Sequence, residues 1–546
     1  MPFTLPGVIE ALAQTVPDRE MLVLGDRRIT YAEFDQRTNA LGNVFLEHGL
    51  TAEKERDALE DHESGQPHVA LYLYNSPEYA EGMFGAWKAR CAPFNVNYRY
   101  VEEELLYLFD NADTRAVVYH AEFAPQIERV RAKLPRLELL LQVEDDSGNA
   151  LLDGALDYAS AVASASTVRP EVDPSPDDLY ILYTGGTTGM PKGVLWRAED
   201  IFITAMGGRR QNGVVFASLE EMAKEASEAE PGRMLVGPPL MHGAAQWTLV
   251  NGMTGGATAV FPSEVRKLDP ADFLETAARE RANGMTIVGD AFARPLIDDL
   301  RENDRDLSEL KVVSSGGAPL SRTNKDAFFE CLPDIVIVDG MGSSEGGIQG
   351  MQVSTRNNTQ SGAFNAASGS VVVSEDLTRV LAPEEREIGW LAKSGRMPLG
   401  YLGDPEKTAR TFVRIDGERY SVPGDRAHYN ENGSVELLGR DSVCINSGGE
   451  KIFAEEVESA LKAHPDVFDV VVAPRPSDRW GQEVVAVVAL AKGAEQDEPA
   501  LLAEAERHVA RYKLPKAFVF VDAIQRSPSG KADYRWATAQ VTAGDG

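Results

Sequence analysis

Between Tyr183 and Val194 the chain reads YTGGTTGMPKGV, with four glycines, three threonines and one lysine in twelve residues. Glycines let a backbone approach a ligand closely, and hydroxyl and ammonium groups donate hydrogen bonds, so this composition suits a bound phosphate. A P-loop requires G-x-x-x-x-G-K-[ST] running directly into a helix. Here the fifth residue after Gly185 is Met190, and Lys192 is followed by Gly193, so that pattern fails, as does G-x-G-x-x-G. The apolar flanks LYILY and VLWR predict a strand, a loop and a second strand, followed by a helix over 199–206. A flexible hairpin is the plain alternative for an isolated Gly/Thr cluster, but a loop anchored on both sides fits it less well.

Other segments must position this loop. Residues 69–120 alternate strand and helix: VALYLY, SPEYAEGMFGAWKAR, APFNVN, VEEELLYLFDN, RAVVYH. The alternation returns through TIVGDAF, KVVSSGGAPL and DIVIVDGMGSSE. Such spacing predicts doubly wound parallel sheets, and two of these strands end in glycine-rich turns, where ligands of open α/β sheets bind. From about Ser370 the pieces become short and strand-like (VVVSE, GWLAK, ERYSVPGD, SVELLGR), which predicts a β-rich subdomain completing a large N-terminal domain. Beyond Arg440 a compact run of helices and a few strands predicts a small α+β domain. The expected division is residues 1–440 and 441–546, consistent with a chain of 546 residues, too long for one core.

Bulk properties narrow the function classes. Acidic residues outnumber basic ones 85 to 54, a net charge of −31. Nucleic acid and anionic membranes both need a basic footprint, so neither is expected as a partner. Cys91, Cys331 and Cys444 are far apart and carry no metal-site spacing, which suits a reducing cytoplasm. No signal peptide or membrane-spanning run is read in the sequence.

Taken together, the opening loop and six segments downstream of it resemble the motifs of the adenylate-forming superfamily in that family's order. YTGGTTGMPKG is similar to its phosphate loop, with Gly185 where serine is usual; SGGAPL (315–320) resembles its adenine-contacting turn and MGSSE (341–345) its Y-G-x-[ST]-E element. GYLGDPEKTARTF, YSVPGD and LLGRDSVCINSGGEKIFAEEVE follow, and RSPSGKADYRW resembles the terminal lysine motif. The resemblance implies an acyl-CoA synthetase. A carboxylate attacks the α-phosphorus of ATP to give acyl-adenylate and pyrophosphate, then a coenzyme A thiol displaces AMP. Two unit charges about 4 Å apart repel by about 4 kcal/mol at an effective dielectric of 20, so positive charge and oriented donors must compensate.

The resemblance also implies roles. Thr184, Thr187, Thr188 and Lys192, with Gly185, Gly186 and Gly189, would hold the β- and γ-phosphates. Gly316, Gly317 and Ala318 would leave a flat slot for adenine, walled by the stretch Asp339, Gly340, Met341, Gly342, Ser343, where Met341 replaces an aromatic and its thioether would cover the ring. Ser344 would meet the α-phosphate and Glu345 would hold Mg²⁺. Asp425 would accept from the ribose hydroxyls, and Arg440 would reach ribose or α-phosphate. Lys531 would neutralise charge between carboxylate and α-phosphate, and His242 would orient the acyl carboxylate without transferring a proton. For the thiol step the C-terminal domain would rotate about the hinge after Arg440, presenting Ser447, Gly448, Gly449 and Glu450 to pantetheine. Pro423 and Ser442 depart from the usual motifs. The expected partners are a small-molecule carboxylic acid, ATP and coenzyme A, with a homodimer left open. Within the family the segments are most similar to actinobacterial ligases for steroid side-chain acids and fatty acids. The alternatives are a non-catalytic nucleotide-binding homologue or an adenylate-forming enzyme with another acceptor.

Overall fold

The computed structural model describes residues 2–184, 190–210, 212–447, 450–477, 480–526 and 530–543. The first sheet is built on parallel strands His68–Tyr72, Ala92–Asn95, Thr114–His120, Leu139–Val143 and Leu179–Thr184. Strands His68–Tyr72, Ala92–Asn95 and Leu139–Val143 are buried along their whole length. Helices cover both faces of such a sheet, so these strands are buried at consecutive residues instead of alternate ones. Helix Pro77–Lys88 is buried all round. Helix Tyr31–Glu47 starts with a capping box, Thr30 accepting from the Glu33 amide while Glu33 accepts from that of Thr30.

A second sheet places Glu20–Leu24, Thr258–Phe261, Arg233–Val236, Gly284–Ile287, Val312–Gly316 and Val336–Ser343 side by side, all parallel. Strand Gly347–Ser354 then turns back antiparallel and carries the sheet into the expected β-rich subdomain, which includes Asp425–Tyr429 and Val435–Arg440. The two parallel sheets put the ends of Leu179–Thr184, Val312–Gly316 and Val336–Ser343 at one crevice, the location the crevice rule for open α/β sheets assigns to ligands.

The expected pair of strands around the phosphate loop is present. Lys192–Arg197 runs antiparallel to Leu179–Thr184 with Thr184 opposite Lys192, and helix Ala198–Ala205 follows. After Arg440 the chain forms its own sheet from Cys444–Ser447, Glu450–Phe453, Val467–Ser477, Gly481–Leu490 and Ala517–Phe520, with helices Ala454–Lys462, Glu498–Ala505 and Tyr534–Ala543. This smaller unit has its own core, including Ile445, Val457, Leu461, Val470 and Val484. Among the described residues no cysteine is in a disulfide, and no helix is long and apolar enough to cross a membrane.

Candidate active site

Backbone groups at the crevice are fixed by buried side chains. Asn95, at the end of its strand, accepts from the Tyr183 amide at 2.8 Å and donates to the Tyr183 carbonyl at 2.8 Å and the Met241 carbonyl at 2.7 Å. One amide therefore ties the residue before Thr184 to the residue before His242. Trp196, fully buried, donates its indole N–H to the Ser344 carbonyl at 2.9 Å. That bond locks the G-S-S-E turn to the strand that begins with Lys192.

Glu345 is buried at 9% exposure, and its Oε1 accepts from the Tyr401 hydroxyl at 2.7 Å. Its own carbonyl accepts from Ser421 Oγ at 2.7 Å. Burial and the neighbouring Glu345 anion raise the Tyr401 phenol far above its usual range, so it stays a donor. Lys192 pairs with Asp404 at 3.0 Å and, with Lys407, lies over the Tyr401 ring. Burial lowers the pKa of Lys407, and repulsion from Lys192 adds to the effect. Two lysines thus lie over the ring whose hydroxyl holds Glu345, one of them paired with Asp404.

The glycine turn expected to face adenine has backbone conformations that need glycine. Gly317 adopts φ +82°, and a Cβ on Gly342 would sit 2.4 Å from the Gly347 carbonyl oxygen. Gly316 lies opposite Gly340 in the register. Strand Val336–Ser343 alternates, however, and this corrects one expectation. Ile337, Asp339 and Met341 are buried, and Met341 packs among Val372, Leu391, Tyr429 and Val435 in the β-subdomain core. Its thioether is therefore turned into that core and does not cover a ring; Gly340 and Gly342 occupy the other face. Asp339 is engaged by Lys325 at 3.1 Å, and Lys325 also donates to Gln352 at 2.7 Å. Burial pushes the Asp339 carboxyl up to about 6 although Lys325 pulls it down.

Asp425 and Arg440 face each other across a strand pair, with Nε and Oδ1 3.2 Å apart. Burial raises the Asp425 carboxyl, opposed by Arg440. Lys531 comes from the smaller domain to this same group. Its pKa is lowered first by desolvation and then by Arg440, while Glu345, Asp425 and Glu455 act to raise it. Solvent still reaches the Lys531 side chain, so this desolvation is that of a crowded cleft and not of a sealed interior. His242 precedes helix Gly243–Thr254; burial, with Lys531 and Arg99 nearby, drops its pKa to about 3. The imidazole is neutral at physiological pH, which suits orientation and not proton carriage.

The expected phosphate-loop and pantetheine-turn residues Gly185, Gly186, Thr187, Thr188, Gly189, Gly448 and Gly449 lie outside the described residues. Ser447 ends strand Cys444–Ser447 opposite Glu450, at the surface of the smaller domain. Ser343 Oγ donates to Gln349 Oε1 at 3.1 Å.

Several site residues had not been singled out in the sequence. Tyr401 and Asp404 sit inside the GYLGDPEKTARTF run, where the glycine, tyrosine, proline, threonine and phenylalanine spacing carries the resemblance, but that resemblance gives Tyr401 no role and does not mark Asp404 at all. Glu455 had no local signal at all. Its carboxylate lies against Gly439, where an added Cβ would come within 3.1 Å of Oε2. Burial pushes the Glu455 carboxyl up to about 7, with Glu458 and Asp425 adding and Arg440 and Lys531 opposing. Between the domains lies a cavity of about 240 Å³, lined by Tyr98, Arg99, Pro239, Phe292 and Arg526 among others.

Two anchored strands meeting at Thr184 and Lys192, a buried carboxylate held by Tyr401, facing glycines at two strand ends and a lysine delivered by a second domain fit a nucleotide-dependent activating enzyme. The chain belongs to the AMP-binding enzyme family: its signature matches residues 9–389, and that of the AMP-binding enzyme C-terminal domain matches 456–531. It is 52% identical over 543 residues to the medium-chain acyl-CoA ligase Mig of Mycobacterium avium, covering 99% of each chain. It is 39% identical to a medium/long-chain-fatty-acid–CoA/3-oxocholest-4-en-26-oate–CoA ligase of Mycobacterium tuberculosis, covering 99% of this chain and 96% of the relative. The fold is that of the anthranilate CoA ligase AuaEII in complex with anthranoyl-AMP, with TM-score 0.83 at 20% identity, covering 99% of this chain and 98% of that one.

Proposed function

We propose that the chain is an ATP-dependent, AMP-forming acid–thiol ligase that converts a hydrophobic medium- or long-chain carboxylic acid to its coenzyme A thioester. What carries the reading is the convergence of Lys531 with Glu345, Asp425 and Arg440 in one cleft, in a chain 52% identical along its length to a medium-chain acyl-CoA ligase. Lys531 and Arg440 supply the positive charge needed where an acyl carboxylate approaches the α-phosphate, and Lys192 meets the departing pyrophosphate. Asp425 accepts from the ribose, Gly316, Gly317 and Ala318 line the base, and Ser344 stands at the α-phosphate. His242, neutral, orients the acyl carboxylate. The hinge falls after Arg440, so that residues 441–546 rotate, withdraw Lys531 and admit the thiol along Ser447 and its neighbours.

Among the described residues no cluster of three or more His, Cys, Asp or Glu is arranged to hold a metal. Glu345, buried with one oxygen taken by Tyr401, fits Mg²⁺ that is held mainly by substrate phosphates and water. Bound there, Mg²⁺ would neutralise phosphate charge. The same reading places the enzyme in the cytoplasm, where ATP and coenzyme A are available.

A panel of medium-chain, long-chain and steroid side-chain acids, incubated with ATP and coenzyme A and read by mass spectrometry, tests the activity. Thioester and AMP should appear together, and no thioester from any acid would refute the ligase reading. Lys531→Ala should abolish carboxylate-dependent pyrophosphate release yet spare thioester formation from supplied acyl-adenylate. Equal loss of both halves would remove Lys531 from the adenylation step.

A further inference from the structure

The lysine loop is tied to the large domain through a chain of charges lying outside the nucleotide cleft. Asp290 lies in the first turn of helix Gly289–Glu302 and is 8% exposed. Its Oδ1 accepts from the Ser321 amide at 2.8 Å and from Asn324 Nδ2 at 2.7 Å, which fixes the carboxylate. The other oxygen has no hydrogen-bond donor and points across the domain boundary to Lys462 Nζ, 3.6 Å away and itself 9% exposed. Lys462, the last residue of helix Ala454–Lys462, also pairs with Asp469 Oδ1 at 3.5 Å. Asp469 receives a bidentate pair from Arg526, at 2.6 and 2.7 Å. The remaining Arg526 nitrogen donates to the Gly530 carbonyl at 2.9 Å, one residue before Lys531.

Two further contacts reinforce the same seam. Arg294, one turn along the Asp290 helix, donates to the Val467 carbonyl at 2.9 Å and lies over the Phe468 ring. Gly530 rests against Val288 and Ala291, where an added Cβ would meet Val288 Cγ1 at 3.1 Å.

We infer that Asp290, Lys462, Asp469 and Arg526 are positioning residues for the adenylation step, an ionic relay that sets Lys531 in the cleft only while the two domains are in this arrangement. The inference rests on the adenylation role proposed for Lys531. The geometry supports it in three ways. A buried carboxylate left with one unbonded oxygen is costly unless a cation faces it, so Asp290 favours the docked domain. A bidentate arginine–carboxylate pair is directional, so fixing Asp469 through Lys462 fixes the Arg526 plane and, through it, the Gly530 carbonyl. Rotation of the smaller domain separates Asp290 from Lys462 but leaves the Asp469–Arg526 pair intact within that domain. The relay therefore acts on one half-reaction.

The test measures both half-reactions separately: carboxylate-dependent pyrophosphate release, and thioester formation from supplied acyl-adenylate. Asp290→Asn keeps the size of the side chain and removes the charge; Lys462→Met removes the partner. Each should slow pyrophosphate release by about 10-fold, with the double variant no slower than the slower single one, because both break one link. Thioester formation should hold within about 2-fold, the scatter expected of uncoupled sites. Lys462→Arg, which can reach both carboxylates, should restore the first half. Multiplying losses in the double variant, equal loss of both halves, or failure of Lys462→Arg to rescue would overturn the relay. Should Asp290→Asn misfold, Lys462→Gln carries the same test through its half-reaction split. Lys531→Ala run alongside separates the two ideas. If it leaves pyrophosphate release intact, the lysine's role fails; if it abolishes release while the relay variants match wild type, the relay alone fails.

Discussion

Removing one oxygen atom from Tyr401 tests how Glu345 is held. Tyr401→Phe keeps the ring that packs beside Phe412 with centroids 6.0 Å apart and leaves the platform under Lys192 and Lys407 in place. What is lost is the 2.7 Å bond to Glu345 Oε1, between a 2% exposed tyrosine and a 9% exposed glutamate. A hydrogen bond to a buried charged group contributes about 1.5 to 3 kcal/mol, and its loss leaves the carboxylate oxygen unpaired. Where the full amount is felt in the transition state, the adenylation rate falls by about 10- to 150-fold. Because Glu345 is proposed to meet Mg²⁺, the loss should fall on the apparent KM for Mg²⁺ and ATP as well as on kcat. Pyrophosphate release titrated with Mg²⁺ at fixed ATP measures both, and thioester formation from acyl-adenylate is the control. Wild-type values for kcat and the Mg²⁺ dependence in a folded Tyr401→Phe protein would refute the positioning role. So would equal slowing of the control.

Two further outcomes are expected. Glu455, pushed up to about 7 where the domains meet, has an ordinary value of 4.5 once solvated. The docked arrangement then binds more protons than the rotated one between those values, so its advantage is greatest below about pH 4.5 and fades as pH rises to about 7. Interdomain distance followed by a fluorophore pair should lengthen over this range, and Glu455→Gln should remove most of that slope; an unchanged slope would count against the assignment. Asn95→Ala strips partners from the Tyr183 amide and carbonyl and from the Met241 carbonyl. It should destabilise the large domain by about 2 to 5 kcal/mol, since buried backbone groups lose their bonds. The first urea unfolding transition reports this, and a midpoint equal to wild type would show that the Asn95 node is replaceable.

The large parallel sheets were legible because the buried strands His68–Tyr72 and Thr114–His120 carry the mostly apolar runs VALYLY and RAVVYH between helical ones. The strand pair around Lys192 was legible for a local reason too, since apolar flanks and a glycine-rich turn are adjacent in sequence. Met341 shows where this legibility stops. A motif position gives a residue's place along the strand, but the pleat and the neighbouring β-subdomain decide which face it takes, and here the thioether entered the core with Val372 and Tyr429. Asp339 stands on the same buried face and is held by Lys325 from a helix that ends before the strand begins.

By itself, then, the sequence determined the two-domain α/β plan and put Glu345, Asp425, Arg440 and Lys531 forward as the candidate residues, because ordered motifs of small, hydroxyl and charged residues are written locally. Only the tertiary structure decided what holds them. Tyr401 reaches Glu345 across 56 residues of chain, Asn95 reaches Met241 across 146, and Asp290 faces Lys462 from another domain. Such pairings are set by which strand ends and helix starts the packing brings into contact, and chain separation leaves no local pattern of them.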